Sequence, residues 1–303
     1  MPVGKLSPHF TVLGPGGVGG LLAGLLVRAG ERVTVVASEA TAEHITANGL
    51  RVESAVFGDF TAAPPAAARL AEPADVLLVA PKATALDAAL DRIPADLVRG
   101  ALVVPLLNGL EHVGHLRRRL PGAHVAAAAI RVESTRTAPG RISHTSPFTA
   151  LELAAPGAPG GLVAAAAERL RGTGFTVTVS DDEARTLWEK FHFLLPTALV
   201  CTHAGSPIGA TRADRRADLA AVVAEVAEVA ARHGVALDSP GVLRVIDAIP
   251  PATKPSMLRD REAGRPMEVE ALGGALLRAA AGVGVETPVT ARLVADLERI
   301  DAR

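Results

Sequence analysis

The sequence predicts an α/β domain over residues 1–180 followed by an all-helical domain over residues 181–303, and three observations carry that prediction. Short branched-aliphatic runs alternate with Ala/Leu-rich stretches of helical length through the first half, the pattern of βαβ units around a parallel sheet. A glycine-rich turn, Gly14-Pro15-Gly16-Gly17-Val18-Gly19, stands between the first apolar run and the first helical stretch. After Ser180 the strand-like runs stop and helical periodicity alone continues.

The predicted strands are HFTVLG from His9, RVTVVA from Arg32, ADVLLVA from Ala74, ALVVPLLNG from Ala101 and HVAAAAIRV from His124. Each is apolar on both faces, as a strand covered by helices on both sides must be. From Arg131 to Val179 the texture changes to RISHTSPFTALELA and GFTVTVS, read as short strands around a helix, GGLVAAAAERLRGTG, that extend or edge the same sheet. The helical domain is predicted to contain helices over Glu183–Cys201, Ala213–His233, Ser239–Ile249 and Glu268–Gly282. A chain of 303 residues is long enough for two domains with cores of their own.

Composition excludes several classes of function. Lys and Arg number 31 against 32 Asp and Glu, a net charge of -1, so no global field draws nucleic acid or an anionic membrane, and aromatic residues at 3% leave little for base stacking. The partner expected is a small molecule. Cys201 is the one cysteine and has no partner for an internal disulfide, and the histidines show no metal-ligand spacing, so no metal is expected. MPVGKLSPHF has no apolar leader and no stretch approaches the roughly 20 apolar residues of a spanning helix, so a cytoplasmic protein without membrane association is expected. No G-x-S-x-G elbow is present, since Ser206 lies in AGSPIG.

The glycine turn fits G-x-G-x-x-G between a strand and a helix, the context that gives the dinucleotide fingerprint of a Rossmann-type domain its meaning. Gly14 permits the tight turn, Gly16 lets main chain approach a pyrophosphate, and Gly19 lets helix pack closely on strand, while the helix N-terminus offers N–H groups and a positive dipole. At the end of the second strand, Ser38 can donate to a ribose phosphate, whereas Glu39 either repels one or is a solvated first-turn carboxylate. Lys82 follows the third strand and Asn108-Gly109 the fourth, which puts both at the carboxyl edge where open α/β sheets bind ligands; singly, each also reads as an ordinary loop residue.

With these residues the chain resembles the ketopantoate reductase family over essentially its full length. The resemblance is carried by GPGGVGG, by PKATALDAAL with Lys82, by LLNGLEH with Asn108, by PGRISHT with His144 and by LWEKF with Lys190. Its most specific stretch is KPSMLRDREAGRPMEVEALGG, with Ser256, Asp260, Gly264, Arg265, Glu268 and the closing Gly273-Gly274. The resemblance implies NADPH, with NADH as the alternative, and reduction of the C2 ketone of a 2-oxo acid such as 2-dehydropantoate to pantoate, a step of pantothenate biosynthesis. It implies Lys190 as proton donor to the forming alkoxide and Glu268 as the residue that holds the substrate hydroxyl and orders the lysine; Asn108 and Ser256 would grip the substrate. Gly14, Pro15, Gly16, Gly17, Val18, Gly19, Ser38, Lys82, Asn108 and Glu268 would contact the cofactor, and a homodimer is expected. A lysine in a dry cleft is a better acid because burial disfavours its charged form, and a cation beside an oxyanion stabilises the transition state. Read without the resemblance, Lys190 is a helix-surface partner of Asp182 or Glu189, and Glu268 a helix-start carboxylate.

The chain departs from the family pattern at three points. Family asparagines four and eight residues after the lysine are replaced by Leu194 and Ala198, Pro196 is expected to kink or locally disrupt the same helix unless neighbours compensate, and the arginine frequent after the second strand is Ser38. These leave two alternatives to the 2-dehydropantoate reading: a reductase of another carbonyl or imine, or a nucleotide-binding regulator without chemistry. His192, Thr197 and His203 add polar groups whose direction helix position alone does not decide.

Overall fold

The computed structural model describes residues 8–301; residues 1–7, on which the expectation about a leader falls, and residues 302–303 lie outside it. The chain divides into two compact units. One comprises Met1–Leu107 with His112–Thr186, the other Asn108–Glu111 with Leu187–Arg303.

In chain order the first unit contains β1 (His9–Leu13), α1 (Gly17–Arg28), β2 (Arg32–Val36), α2 (Glu39–Asn48), β3 (Leu50–Ser54), β4 (Phe60–Ala62), β5 (Ala66–Ala67), β6 (Val76–Val79) and α3 (Leu86–Leu90). It continues with β7 (Leu102–Pro105), α4 (His112–Arg119), β8 (His124–Val125), β9 (Ala127–Arg131), β10 (Ser134–Ala138), β11 (Arg141–His144), β12 (Ala150–Ala154), α5 (Gly160–Arg171) and β13 (Thr176–Ser180). Six strands form a wholly parallel sheet in the order β5-β2-β1-β6-β7-β8, the doubly wound arrangement of a dinucleotide-binding domain. β1 is buried at every residue because it lies inside this sheet, with Leu13 opposite both Val36 and Val79.

The later strands do not extend that sheet. β9, β12 and β13 form a separate three-stranded sheet, and β10, β11, β3 and β4 a four-stranded one. The run HVAAAAIRV, expected as one strand, divides after Val125: β8 pairs with β7 and β9 with β12. Ala126 to Ala129 are all buried, and four identical small side chains give hydropathy nothing with which to mark the change of partner.

Helix α1 explains its own glycine content. A Cβ at Gly20 would meet Ile142 Cδ1 at 2.6 Å, and one at Gly24 would meet Val52 and Phe60 at 3.2 and 3.3 Å, all residues of the four-stranded sheet. On the other face a Cβ at Gly19 would meet Ala80 Cβ at 2.9 Å and the Gly14 carbonyl. The helix lies between two sheets and carries glycine at the points of closest approach to each, while Leu21, Leu22, Leu25 and Leu26 are buried in the core.

The second unit is built from α6 (Glu183–Ala204, of which Leu187 onward belongs here), α7 (Ile208–Asp214), α8 (Arg216–Arg232), α9 (Ser239–Ala248), α10 (Ser256–Glu262), a π-helical turn over Glu270–Gly274, α11 (Ala275–Val283) and α12 (Pro288–Asp301). Val222, Val223, Val226 and Val229 of α8 are fully buried in its core with Leu276, Leu293 and Leu297. The helix expected over Ala213–His233 breaks at Arg215, whose φ of -131° leaves the helical region. α7, α10 and α12 add to the four helices expected; the start of α12 is capped from outside by Glu225, which accepts from Val289 N at 2.8 Å and Thr290 N at 2.9 Å. Pro196 does not interrupt α6. It removes one N–H from the ladder, and Thr197 Oγ1 donates to Phe193 O at 3.1 Å and Leu194 O at 2.9 Å beside the gap. Among the described residues no helix is long and apolar enough to cross a membrane.

Candidate active site

Chemistry in the first unit gathers at the carboxyl edge of the parallel sheet. Gly14 N donates to Val36 O at 3.0 Å, and Gly14 has φ +83°, a conformation that a side chain would strain and that a Cβ would crowd against Pro81 N at 2.9 Å. Gly17 and Gly19 are held as glycine by main chain as well, since Cβ atoms there would strike Ser134 O and Gly14 O. Gly16 differs. Its φ of -71° suits any residue, and a Cβ built on it would have no protein atom nearer than Ala80 O at 4.0 Å. The missing side chain therefore leaves open space directly over the N-terminus of the 12-residue α1, whose first-turn N–H groups have no preceding turn to bond. This cradle fits a pyrophosphate: the first-turn N–H groups of Gly17, Val18 and Gly19 would donate to it, while Gly14, Pro15 and Gly16, whose main chain has no N–H to spare, would shape the turn around it.

Ser38 and Lys82 come to the same edge. Ser38 is the exposed N-cap of α2, though its hydroxyl donates to Thr41 Oγ1 at 2.9 Å and accepts no bond from a first-turn N–H of the helix. Glu39 is exposed in the first turn of α2 and lines an open groove with Ala42, Glu43 and the β5 residues Ala66 and Ala67. Lys82 is exposed two residues beyond Ala80, whose N–H extends the sheet by bonding Leu13 O at 2.9 Å.

The remaining candidates, Asn108, Lys190, Ser256 and Glu268, belong to the helical unit. Asn108 precedes Gly109, whose φ of +107° and close approach to Ala271 O (2.6 Å for a built Cβ) lay the turn against the π-helical segment. Arg278 locks that arrangement: Nε and Nη2 donate to the two Glu111 carboxylate oxygens at 2.8 Å each, and Nη1 pairs with Glu270. Hydrogen bonding to Glu111 raises the Arg278 pKa further, so the clamp stays charged. Glu268 is buried immediately before the π-helical segment, and its carbonyl accepts from Leu272 N at 3.1 Å. Lys190 is half-buried in the second turn of α6; Ser256 is exposed at the first position of α10. The buried Asp260 accepts from Arg265 Nε at 3.0 Å, so the acidic and basic members of the Ser256–Glu268 stretch serve to close α10 onto the loop after it.

The three undecided polar residues of α6 have partners inside the helical unit. His192 Nε2 lies 3.1 Å from Val223 O and 3.3 Å from Ser239 Oγ, and burial lowers its pKa. His203 bonds Asp296 at 3.0 Å and Arg215 at 3.2 Å, and Thr197 bonds its own helix as above. Residues that sequence reasoning missed are Arg278, Glu111 and Arg92. The only signal for the first two lay in complementary charge 167 residues apart, which no short-range pattern exposes. Among the described residues no group of three or more His, Cys, Asp or Glu is placed to hold a metal ion.

A parallel sheet with a glycine cradle over a helix N-terminus, followed by a helical unit bearing a lysine and a buried glutamate, defines the class of two-unit dinucleotide-dependent oxidoreductases. Family models narrow this class: that described as Ketopantoate reductase PanE/ApbA matches residues 10–157, and that described as Ketopantoate reductase PanE/ApbA C terminal matches residues 182–301. The 2-dehydropantoate 2-reductase of Mycobacterium tuberculosis H37Rv is 30% identical over 309 residues, covering 95% of this chain and 96% of its own. Among solved structures, a PanE/ApbA family ketopantoate reductase from Ralstonia eutropha JMP134 superimposes with a TM-score of 0.88 at 27% identity, covering 97% of this chain and 98% of its own. A D-mandelate dehydrogenase solved with NADH and anilino(oxo)acetate shares the fold with a TM-score of 0.88 at 22% identity, over 97% of this chain and 98% of its own. The chain belongs to the ketopantoate reductase family and is an oxidoreductase.

Proposed function

We propose that the protein uses NADPH to reduce the C2 ketone of a 2-oxo acid of the 2-dehydropantoate type to the 2-hydroxy acid. The observation that carries this reading is the open space over Gly16, a position glycine occupies for no reason internal to the protein, in a chain that also retains Lys190 and Glu268. The bound dinucleotide would supply hydride to the ketone carbon. Lys190 then donates the proton to the alkoxide oxygen and stabilises its developing charge, Glu268 holds the substrate hydroxyl and orders the lysine, and Asn108 and Ser256 grip the carboxylate or hydroxyl. NADPH rather than NADH is favoured because the N-cap of α2, just after β2, is the hydroxyl-bearing Ser38 and not a carboxylate that would take a ribose diol.

A second substrate reading is favoured by α6. Along the helix from Lys190, the positions four and eight residues on are Leu194 and the buried Ala198, neither able to hydrogen-bond a substrate hydroxyl. A 2-oxo acid or other carbonyl compound with an apolar substituent then replaces 2-dehydropantoate, since an apolar wall does not repay the desolvation of a hydroxyl. One assay separates these readings: purified protein with NADPH or NADH and a panel of 2-oxo acids, followed by loss of reduced-nicotinamide absorbance. Turnover of 2-dehydropantoate with NADPH supports the first, turnover only of apolar 2-oxo acids supports the second, and cofactor binding without turnover across the panel indicates a regulator. A homodimer is part of the proposal, and light scattering on the eluting protein tests it.

A further inference from the structure

Beyond the β2–β5 ladder lies a cation, Arg92. The last main-chain rung is Ala37 N to Ala67 O at 3.1 Å; the next acceptor along β2, Ala37 O, is taken by Arg92 Nη1 at 3.1 Å, and the same Nη1 donates to Ala68 O at 3.0 Å. The guanidinium thus caps the carboxyl end of the ladder at the peptide that joins Ala37 to Ser38. Nη2 and Nε of Arg92 have no protein acceptor, and no carboxylate pairs with it among the described residues. Asp91 pairs with Arg119 at 2.6 Å and Asp87 with His115 at 2.8 Å, while Glu39 and Glu43 line the groove that reaches Ala68 without pairing with Arg92. Arg92 is half-buried and its Nη2 and Nε are not sealed from solvent, so a ligand can reach them.

We propose that Arg92 selects the 2′-phosphorylated dinucleotide, its spare donors taking the ribose 2′-phosphate beside Ser38. The inference rests on the dinucleotide reading above: in a doubly wound sheet the adenosine ribose lies beyond the end of the second strand, which is where the Arg92 guanidinium is anchored. A guanidinium is suited to the task, since its planar fork can bind two main-chain carbonyls and still present further N–H groups to a phosphate.

The test is equilibrium binding, read from the fluorescence of the reduced nicotinamide as NADPH or NADH is titrated into wild-type protein, Arg92→Gln and Arg92→Lys, with melting temperatures alongside. The wild type is expected to bind NADPH more tightly than NADH. Arg92→Gln should weaken NADPH about 10–100-fold and leave NADH within about twofold, while Arg92→Lys, which keeps the charge, should retain part of the preference. Equal weakening of both dinucleotides, with a lowered melting temperature, would assign Arg92 to clamping Ala37 and Ala68 and overturn the proposal. So would a wild type that binds NADH as tightly as NADPH, and that result would leave the dinucleotide reading intact. Failure of the wild type to bind either one would remove that reading and this inference together.

Discussion

Around the glycine turn, what the first unit offers a ligand is main chain: N–H groups at the start of α1, left open on the side of Gly16. The helical unit offers side chains, Lys190 on α6, Ser256 on α10 and Glu268 before the π-helical segment, each from a different element and each dependent on packing for its position. The two constructions fail in different ways. Main-chain geometry tolerates few substitutions, because Gly14 and Gly17 are held against Pro81 and Ser134, whereas a side-chain constellation survives most local changes and is lost with one functional atom.

The largest effect expected on this contrast is that of Lys190→Ala. Removing the proposed acid should cost about 10²–10⁴-fold in kcat while dinucleotide affinity stays near the wild type, because its interaction is made in the transition state. Steady-state kinetics with a parallel binding titration checks this, and unchanged turnover would remove Lys190 from the mechanism. Two glycines of one turn should then separate stability from binding. Gly19→Ala forces a Cβ onto Gly14 O and Ala80, and its melting temperature should fall by the equivalent of about 1–3 kcal/mol. Gly16→Ala meets no protein atom, so its melting temperature should match the wild type while dinucleotide affinity drops about tenfold or more. Parallel losses in both variants would mean that Gly16 also serves the fold.

Ser38→Arg should act in the same direction as the Arg92 cation and raise NADPH preference over NADH by roughly tenfold, measured as a ratio of dissociation constants. No change would place the ribose away from Ser38. The smallest effect compares one buried histidine from each unit. Burial lowers the pKa of both His144 and His192, so each unfolded chain binds a proton that the folded one resists. Their stabilisation is therefore complete above the unfolded value of about 6.5 and is lost as pH falls below it. Melting between pH 8 and pH 5 should show His192→Gln losing less than the wild type, by about 2–4 °C. An identical slope in both proteins would deny His192 that role.

The parallel sheet and its cradle could be read from the chain because their determinants are local: an apolar strand, three spaced glycines, a helix and a second strand within Phe10–Val36. The smaller sheets were not separable from the large one in this way. β3 alternates buried and exposed residues and shares its sheet with β11, some 90 residues away, a pairing set by topology. Lys82, Asn108, Lys190, Ser256 and Glu268 were recognisable as residues but not as an arrangement, and Arg92 looked like any loop arginine until the acceptors at Ala37 and Ala68 were placed around it. His192 and His203 show the converse, polar residues near the lysine whose partners turned out to be Val223, Ser239, Asp296 and Arg215.

The clamp between Glu111 and Arg278 also has a bearing on synthesis. Asn108–Glu111 is flanked on both sides by chain belonging to the first unit, yet its ion-pair partner is translated 167 residues later. On the ribosome this short stretch must wait, uncommitted, while most of the helical unit is made, and closing so long a loop is entropically slow. The Asn108 turn therefore depends for its ion-pair clamp on chain that is synthesised after the whole of the first unit.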